Sequence, residues 1–387
     1  MSRVLIGWEF GANRGHAERL IRLAGRLREE GHDPVLAVQR IDAIGPGQVG
    51  GAPVWQAPLS PRLLVTVPKP DPAPMAGMAD ILARLGMDDP ALVAAVIGGW
   101  DRMLLAIRPD LVVADFAPFL LLAAQGRLPT VLLGTGFAVP PADMATFPSL
   151  TGAAGIDQDA LLGRINEGLA LAGRGAIAIV PAVFSADLVL AETFAELDPY
   201  VRERRGTLAR PLPEDFDATA GDGDELFVYA PESLRADSAL WNGLARSGLE
   251  VRVHVPRALP GVRAAIEAGG MRFEQRPLPL GSIAKRSRLL LSHGGHGFVC
   301  AGLAAGLPHI VFHYDLEKLV HGRALARAGL GGHVALAAIE PEAFADSLRR
   351  IHADDALAAR ARAAGPGFLA RSQPDADRAI VALASQR

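Results

Sequence analysis

The chain has 387 residues, half of them hydrophobic, with a formal net charge of −3 and 5% aromatic side chains. That is length for two domains of ordinary size, each able to bury a core. It offers neither the basic field nor the stacking surface that nucleic-acid binding requires.

The single cysteine, Cys300, excludes an internal disulfide framework and suits a reducing compartment. The opening MSRVLIGWEF lacks a signal-peptide core, and the apolar stretch Ala91 to Ile107 is broken by Asp101 and Arg102. A cytoplasmic chain with no transmembrane segment is therefore the expectation.

In chain order, Val4–Trp8, Val35–Val38, Leu111–Ala114 and Val131–Leu133 read as strands. Between the first two, His16–Glu30 reads as a helix with Leu20, Leu23, Ala24 and Leu27 on one face, ended by Gly31. Residues 58–75 hold many prolines and read as a surface loop. The pattern restarts with strands Leu226–Tyr229, Val251–Val255, Leu289–Leu291 and Ile310–Phe312. Asp237–Ser247, Val262–Ala268 and Leu316–Ala328 are the helices of that half, and Asp375–Ser385 is a last helix. Strands alternating with helices predict βαβ units and parallel sheets, here in two similar α/β domains. Residues 206–224, rich in Pro, Gly and Asp without periodicity, read as the connection between them. The DFD and DGD in it read as solvated acids rather than metal ligands.

Three constellations carry possible chemistry. The first is GANRGH, Gly11 to His16, between strand one and the first helix. His16 there is either a general base at the carboxyl edge of the sheet or a helix cap. The second is Asp115 after Leu111–Ala114, which either accepts from the His16 ring or caps a helix over Ala117–Ala124. The third is RLLLSHGGHG, Arg288 to Gly297. An apolar run ends in Ser292-His293-Gly294-Gly295-His296-Gly297, and Val299, Leu303 and Leu307 follow at helical spacing. A glycine turn into a helix start presents unpaired N–H donors and the positive end of the helix dipole, which suits a diphosphate. The same turn also serves simply to pack strand on helix. His293 and His296 have HxxH spacing but sit on a turn with no HExxH and no paired cysteines, so no metal is expected. Glu317 and Lys318 follow Ile310–Phe312, either as sugar and phosphate ligands or as a charged helix start.

Together these segments resemble the nucleotide-sugar-dependent glycosyltransferases of the GT-B fold, family 1 and its bacterial macrolide- and flavonoid-type relatives. The carriers are RVLIGWEFGANRGH, VVADFAPF, LPTVLLGTGF, LAETFAELDPY and, most of all, LLLSHGGHGFVCAGLAAGLPHIVF followed by EKLVHGRALARAGLGG. The last two match the family's donor motif in register from His293 through Pro308 and Gly329 to Gly331. The resemblance implies an α/β chain of two Rossmann-like domains facing across a cleft. Residues 1–205 would bind the acceptor and 225–370 the NDP-sugar, while 371–387 would form a helix packing back on the first domain. It further implies that His293, Gly294, Gly295 and Gly297 hold the donor diphosphate and that Glu317 takes the sugar hydroxyls. Lys318 and His321 would stand beside it, Leu280 and the loop Pro277–Gly281 would lie at the nucleotide base, and His16 would be the base with Asp115 its partner. Three positions depart from the motif: Phe298 for Thr or Ser, Lys318 for Gln, His321 for Asn.

The activity so implied is transfer of a hexose from a UDP- or TDP-sugar co-substrate to a hydroxyl of a small, apolar acceptor. It proceeds with inversion and without metal or cofactor. Trp8, Glu9, Phe10, Phe119 and Phe137 lie on or beside loops on the acceptor side, where acceptor contact and core packing account equally for the aromatic ones. Phe298 and Lys318 motivate an alternative, a noncatalytic nucleotide-sugar-binding or partner protein; a sugar-nucleotide epimerase is a third reading.

Overall fold

The computed structural model describes residues 1–11, 14–45, 47–63 and 75–387. The chain divides into two compact units, Met1–Arg210 with Gln373–Arg387, and Pro211–Ser372. The proline-rich loop expected at 58–75 falls largely outside the described residues, as do Ala12 and Asn13 of GANRGH.

In the first unit, strands β1 (Arg3–Trp8), β2 (Asp33–Val38), β3 (Val54–Gln56), β4 (Leu111–Asp115), β5 (Thr130–Gly134) and β6 (Leu188–Ala191) form one sheet. Its order is β3-β2-β1-β4-β5-β6, and every pairing is parallel. Helices α1 (Arg14–Glu29), α2 (Met78–Leu82), α3 (Pro90–Ile107), α4 (Pro118–Ala124) and α5 (Gln158–Leu171) connect the strands. The expected helical face holds: Leu20, Leu23, Ala24 and Leu27 of α1 are fully buried against the β1, β2 and β4 side chains. Gly31, at φ 79°, then turns the chain into β2. Helix α3, 18 residues, is long and apolar enough by length and composition to cross a membrane. Here it buries Val93, Val96, Ile97, Trp100 and Leu104, and Asp89 caps its first turn.

The second unit repeats the plan. Strands β7 (Glu225–Tyr229), β8 (Val251–His254), β9 (Arg272–Glu274), β10 (Ser287–Ser292), β11 (His309–His313) and β12 (Gly331–Ala335) are ordered β12-β11-β10-β7-β8-β9, again all parallel. Its helices are α6 (Ala239–Arg246), α7 (Pro260–Ala268), α8 (Leu280–Arg286), α9 (His296–Ala305), α10 (Leu316–Arg327), α11 (Pro341–His352) and α12 (Asp355–Leu369). Helix α9 stops at Ala305, before Leu307, because Gly306 takes φ 78°. Both units thus carry the doubly wound order in which the first and fourth strands of each set lie side by side.

Residues 211–224, inside the segment expected to be a connection, belong to the second unit. Ala220 N–H donates to Ala305 O at 2.7 Å and Gly221 N–H to Ala284 O at 3.1 Å. A Cβ on Gly223 would lie 2.1 Å from Arg286 O, so this stretch fits only without a side chain. The last helix, α13 (Ala376–Ala384), packs Ala376, Ile380 and Ala384 into the core of the first unit.

All four strands absent from the sequence reading, β3, β6, β9 and β12, are sheet edges. Edge strands are covered less completely, and Trp55 and Val189 stay 47% and 39% exposed. Without two buried faces they lack the continuous apolar run that marks an interior parallel strand.

Candidate active site

In the first unit, β1 and β4 lie side by side where the strand order reverses, with Trp8 paired to Asp115 in register. Open α/β sheets bind ligands at the carboxyl ends of such strands. His16 is the third residue of α1, inside the helix rather than at its cap. Its Nδ1 lies 2.9 Å from Asp115 Oδ1, with side-chain exposures of 14% for His16 and 0% for Asp115. The other Asp115 oxygen accepts from Arg19 Nη1 at 3.0 Å. Burial works to raise the Asp115 carboxyl, but His16 and Arg19 together outweigh it and hold the group below its usual range. Asp115 is therefore a carboxylate that only accepts. His16 Nδ1 must donate to it, which leaves Nε2 as the basic nitrogen. Trp8 stacks on the imidazole at 5.3 Å and 15°. The ring's Nε2 edge lies over Gly11, where a Cβ would stand 2.2 Å away.

Asp115 does not cap α4. The cap position is Ala117, and Glu9 supplies the acceptors instead, taking Phe119 N–H at 3.1 Å and Leu120 N–H at 2.7 Å. Burial pushes the Glu9 carboxyl up to about 8, against those two backbone bonds. Phe116, directly after Asp115, holds a left-handed φ of 47°, an uncommon conformation for an aromatic residue. Of the five residues considered for acceptor contact, Trp8, Glu9, Phe119 and Phe137 are buried side chains. Only Phe10 keeps partial exposure.

In the second unit, β10 runs beside β7 at the equivalent reversal, and Ser292 pairs with Tyr229. Gly294, at φ 82°, has Val311 Cγ1 2.6 Å from where its Cβ would be, so the turn after Ser292 closes only around glycine. Gly295 is the N-cap of α9 and offers no side-chain bond to the helix amides. Gly297 faces open space. Buried polar groups brace the corner from below. His321 Nδ1 is 2.9 Å from Gly294 O, Ser292 Oγ accepts from Gly294 N–H at 3.0 Å, and His309 Nε2 is 2.7 Å from Ser292 Oγ. His293 is 4% exposed and its Nδ1 has no hydrogen-bond partner. Burial, helped by the Lys318 ammonium, brings its pKa down to about 4, so the ring is neutral. What the corner presents is a glycine turn, a helix N-terminus and a neutral buried imidazole.

The three departures from the motif acquire structural roles. Phe298 packs among Tyr229 at 5.3 Å, His309 at 5.4 Å and Phe227 at 6.1 Å. His321 holds the carbonyl of the glycine turn. Lys318 is 2% exposed and bonds the Glu317 carboxylate, with Asp315 at 3.8 Å. Burial works against the Lys318 charge, but Glu317 and Asp315 overcome it and keep the ammonium protonated beyond its usual range. Asp315 also caps α10 through Lys318 N–H at 3.0 Å. Leu280 starts α8 and, like Phe298, packs partly buried against the apolar cluster that includes Phe227. Among the described residues, no three His, Cys, Asp or Glu side chains converge in a way that would hold a metal ion.

The sequence reading missed Arg19 and Glu192. Arg19 Nε donates to Glu192 Oε2 at 2.5 Å, and both side chains are about nine-tenths buried. The one local signal was spacing, since a residue three places after His16 lies on the same helix face.

Two doubly wound parallel units in one chain are the plan of the GT-B fold. No family model matches the chain and no curated protein matches its sequence. Solved structures do match over the full length. CalG4, the calicheamicin glycosyltransferase, aligns with a TM-score of 0.70 and 20% identity, covering 100% of this chain and 98% of that one. The spinosyn rhamnosyltransferase SpnG aligns at 0.68 and 19%, covering 100% of both chains. SsfS6, a glycosyltransferase of Streptomyces sp. SF2575, aligns at 0.60 and 20%, also covering 100% of both. SpnG has been solved with spinosyn aglycone and with thymidine diphosphate.

Proposed function

We propose that this chain is an inverting, metal-independent O-glycosyltransferase that moves a hexose from a UDP- or TDP-sugar to a hydroxyl of a small apolar molecule. The observation that carries the reading is the 2.9 Å bond between His16 Nδ1 and Asp115 Oδ1 at the strand-order reversal of a GT-B chain. His16 Nε2 takes the proton of the acceptor hydroxyl, and Asp115 stabilises the imidazolium that forms. The acceptor oxygen bonds the anomeric carbon from the face opposite the diphosphate. The bond from that carbon to the diphosphate oxygen breaks, and its electron pair leaves on the diphosphate. The turn at Gly294, Gly295 and Gly297, the α9 N-terminus and the neutral His293 ring meet that charge. Glu317 and Lys318 face the sugar as a pair rather than as a free acid.

The test is thermal-shift screening against UDP, TDP and GDP, then donor hydrolysis with the nucleotide sugar that stabilises. His16→Ala should cut turnover about 10²–10⁴-fold with the fold and nucleotide binding intact. A folded His16→Ala protein with near-normal turnover refutes the role of His16. A second reading, nucleotide-sugar binding without transfer, draws on the bond between Lys318 and Glu317. It predicts a nucleotide-dependent thermal shift with no donor hydrolysis and no transfer to any acceptor.

A further inference from the structure

The charges behind His16 do not end at Asp115. Asp115 Oδ2 accepts from Arg19 Nη1 at 3.0 Å and Arg19 Nε donates to Glu192 Oε2 at 2.5 Å. Glu192 Oε1 accepts from Arg22 Nη2 at 2.9 Å, and Arg22 Nε donates to Asp377 Oδ2 at 2.7 Å. Asp115, Arg19, Glu192 and Asp377 are all at least nine-tenths buried as residues, while the Arg22 side chain reaches solvent. The members come from β4, from two successive turns of α1, from just after β6, and from α13 at the far end of the chain. Three carboxylates against two guanidiniums leave one net negative charge when His16 is neutral and none when it is protonated. The neighbours of the ring that carry no charge are Trp8, stacked on it, and Gly11 under its edge.

We propose that Arg19 and Glu192 are positioning residues for the Asp115–His16 pair, and that Arg22 and Asp377 extend this control to the C-terminal helix. The inference rests on the reading of His16 as the base. Arg19 fixes the carboxylate by occupying the oxygen that His16 does not use, and its positive charge limits how strongly Asp115 retains the imidazolium proton. Glu192 holds Arg19 in place and, being negative, acts in the opposite sense on that proton. Breaking a salt-bridge chain that served stability alone would lower the melting temperature without moving His16 in opposite directions.

The experiment is an NMR titration of the His16 ring in histidine-labelled full-length protein, alongside donor hydrolysis. Arg19→Met should raise the His16 midpoint by about one pH unit, the ordinary size of a nearby charge effect. Glu192→Gln should lower it, Asp377→Asn should lower it less, and Arg19→Lys should stay near the parent. Turnover should fall about tenfold or more in Arg19→Met, with donor KM unchanged because the glycine corner lies in the other unit. If Arg19→Met does not fold, Glu192→Gln and Arg19→Lys decide the question. Unchanged midpoints in the folded variants, or shifts of the same sign for Arg19→Met and Glu192→Gln, overturn the proposal. Full activity in His16→Ala would instead overturn the reading of His16 as the base, so the two failures are distinct.

Discussion

Gly11 and Gly15 sit four residues apart in the segment that delivers His16, and the structure assigns opposite consequences to the same mutation at each. Gly15 lies exposed in the first turn of α1, and a Cβ there would meet nothing within 4 Å. Gly15→Ala should stabilise the protein by about 0.5–1 kcal/mol, the helix-propensity gain of alanine over glycine. Gly11 is at φ 109°, and its Cβ would stand 2.2 Å from His16 Nε2, where ordinary contact begins at 3.4 Å. The backbone conformation alone costs about 1–2 kcal/mol for an L-residue. The imidazole or its loop must also give by about 1 Å, a displacement that can cost roughly 10²-fold in rate when it falls on a catalytic group. Gly11→Ala should therefore lower turnover in donor hydrolysis about 10²-fold, with donor KM and the nucleotide-induced thermal shift unchanged. Chemical denaturation measures the stability change and steady-state kinetics the rate. Near-normal turnover in Gly11→Ala, or an equal loss in Gly15→Ala, refutes the placement of the His16 ring over Gly11.

Two further outcomes follow from the second unit. His293 is held neutral with a pKa near 4 by burial and Lys318. An unfolded chain protonates the same ring near pH 6.5, so the unfolded state gains protons that the native state refuses as pH falls from 6.5 toward 4. Stability supplied by the neutral ring is complete above pH 6.5 and is lost on acidification, by about 2 kcal/mol between pH 7 and pH 5. Urea unfolding at the two pH values should show a smaller loss in His293→Asn, and an equal loss refutes the assignment. Phe298→Thr, which restores a hydroxyl to the turn, should cost about 1–2 kcal/mol, because the partly buried ring packs among Tyr229, Phe227 and His309. Unchanged stability in that variant would refute the packing of the ring against these neighbours.

Much of the fold and of the candidate site was legible in the sequence. The eight strands read from apolar runs, β1, β2, β4, β5, β7, β8, β10 and β11, are the interior strands of the two sheets. A strand covered on both faces has to be apolar throughout, and that is visible locally. The glycine turn before α9 was equally plain, because Gly294 holds a left-handed backbone that other residues follow only under strain. His16 and Asp115 could be named as candidates, each with a structural alternative beside it.

What the tertiary structure decided is which partners the candidate groups take. Glu9, not Asp115, satisfies the α4 amides, so both Asp115 oxygens are left for His16 and Arg19. Phe298 stands where a hydroxyl was expected because Tyr229 and Phe227 close around it. Arg19 meets Glu192 across 173 positions of sequence, and Arg22 meets Asp377 across 355. Local pattern reports how a residue sits on its own helix or strand. The partner of a buried charge is set by which strands lie side by side, and that is fixed only when the sheet assembles.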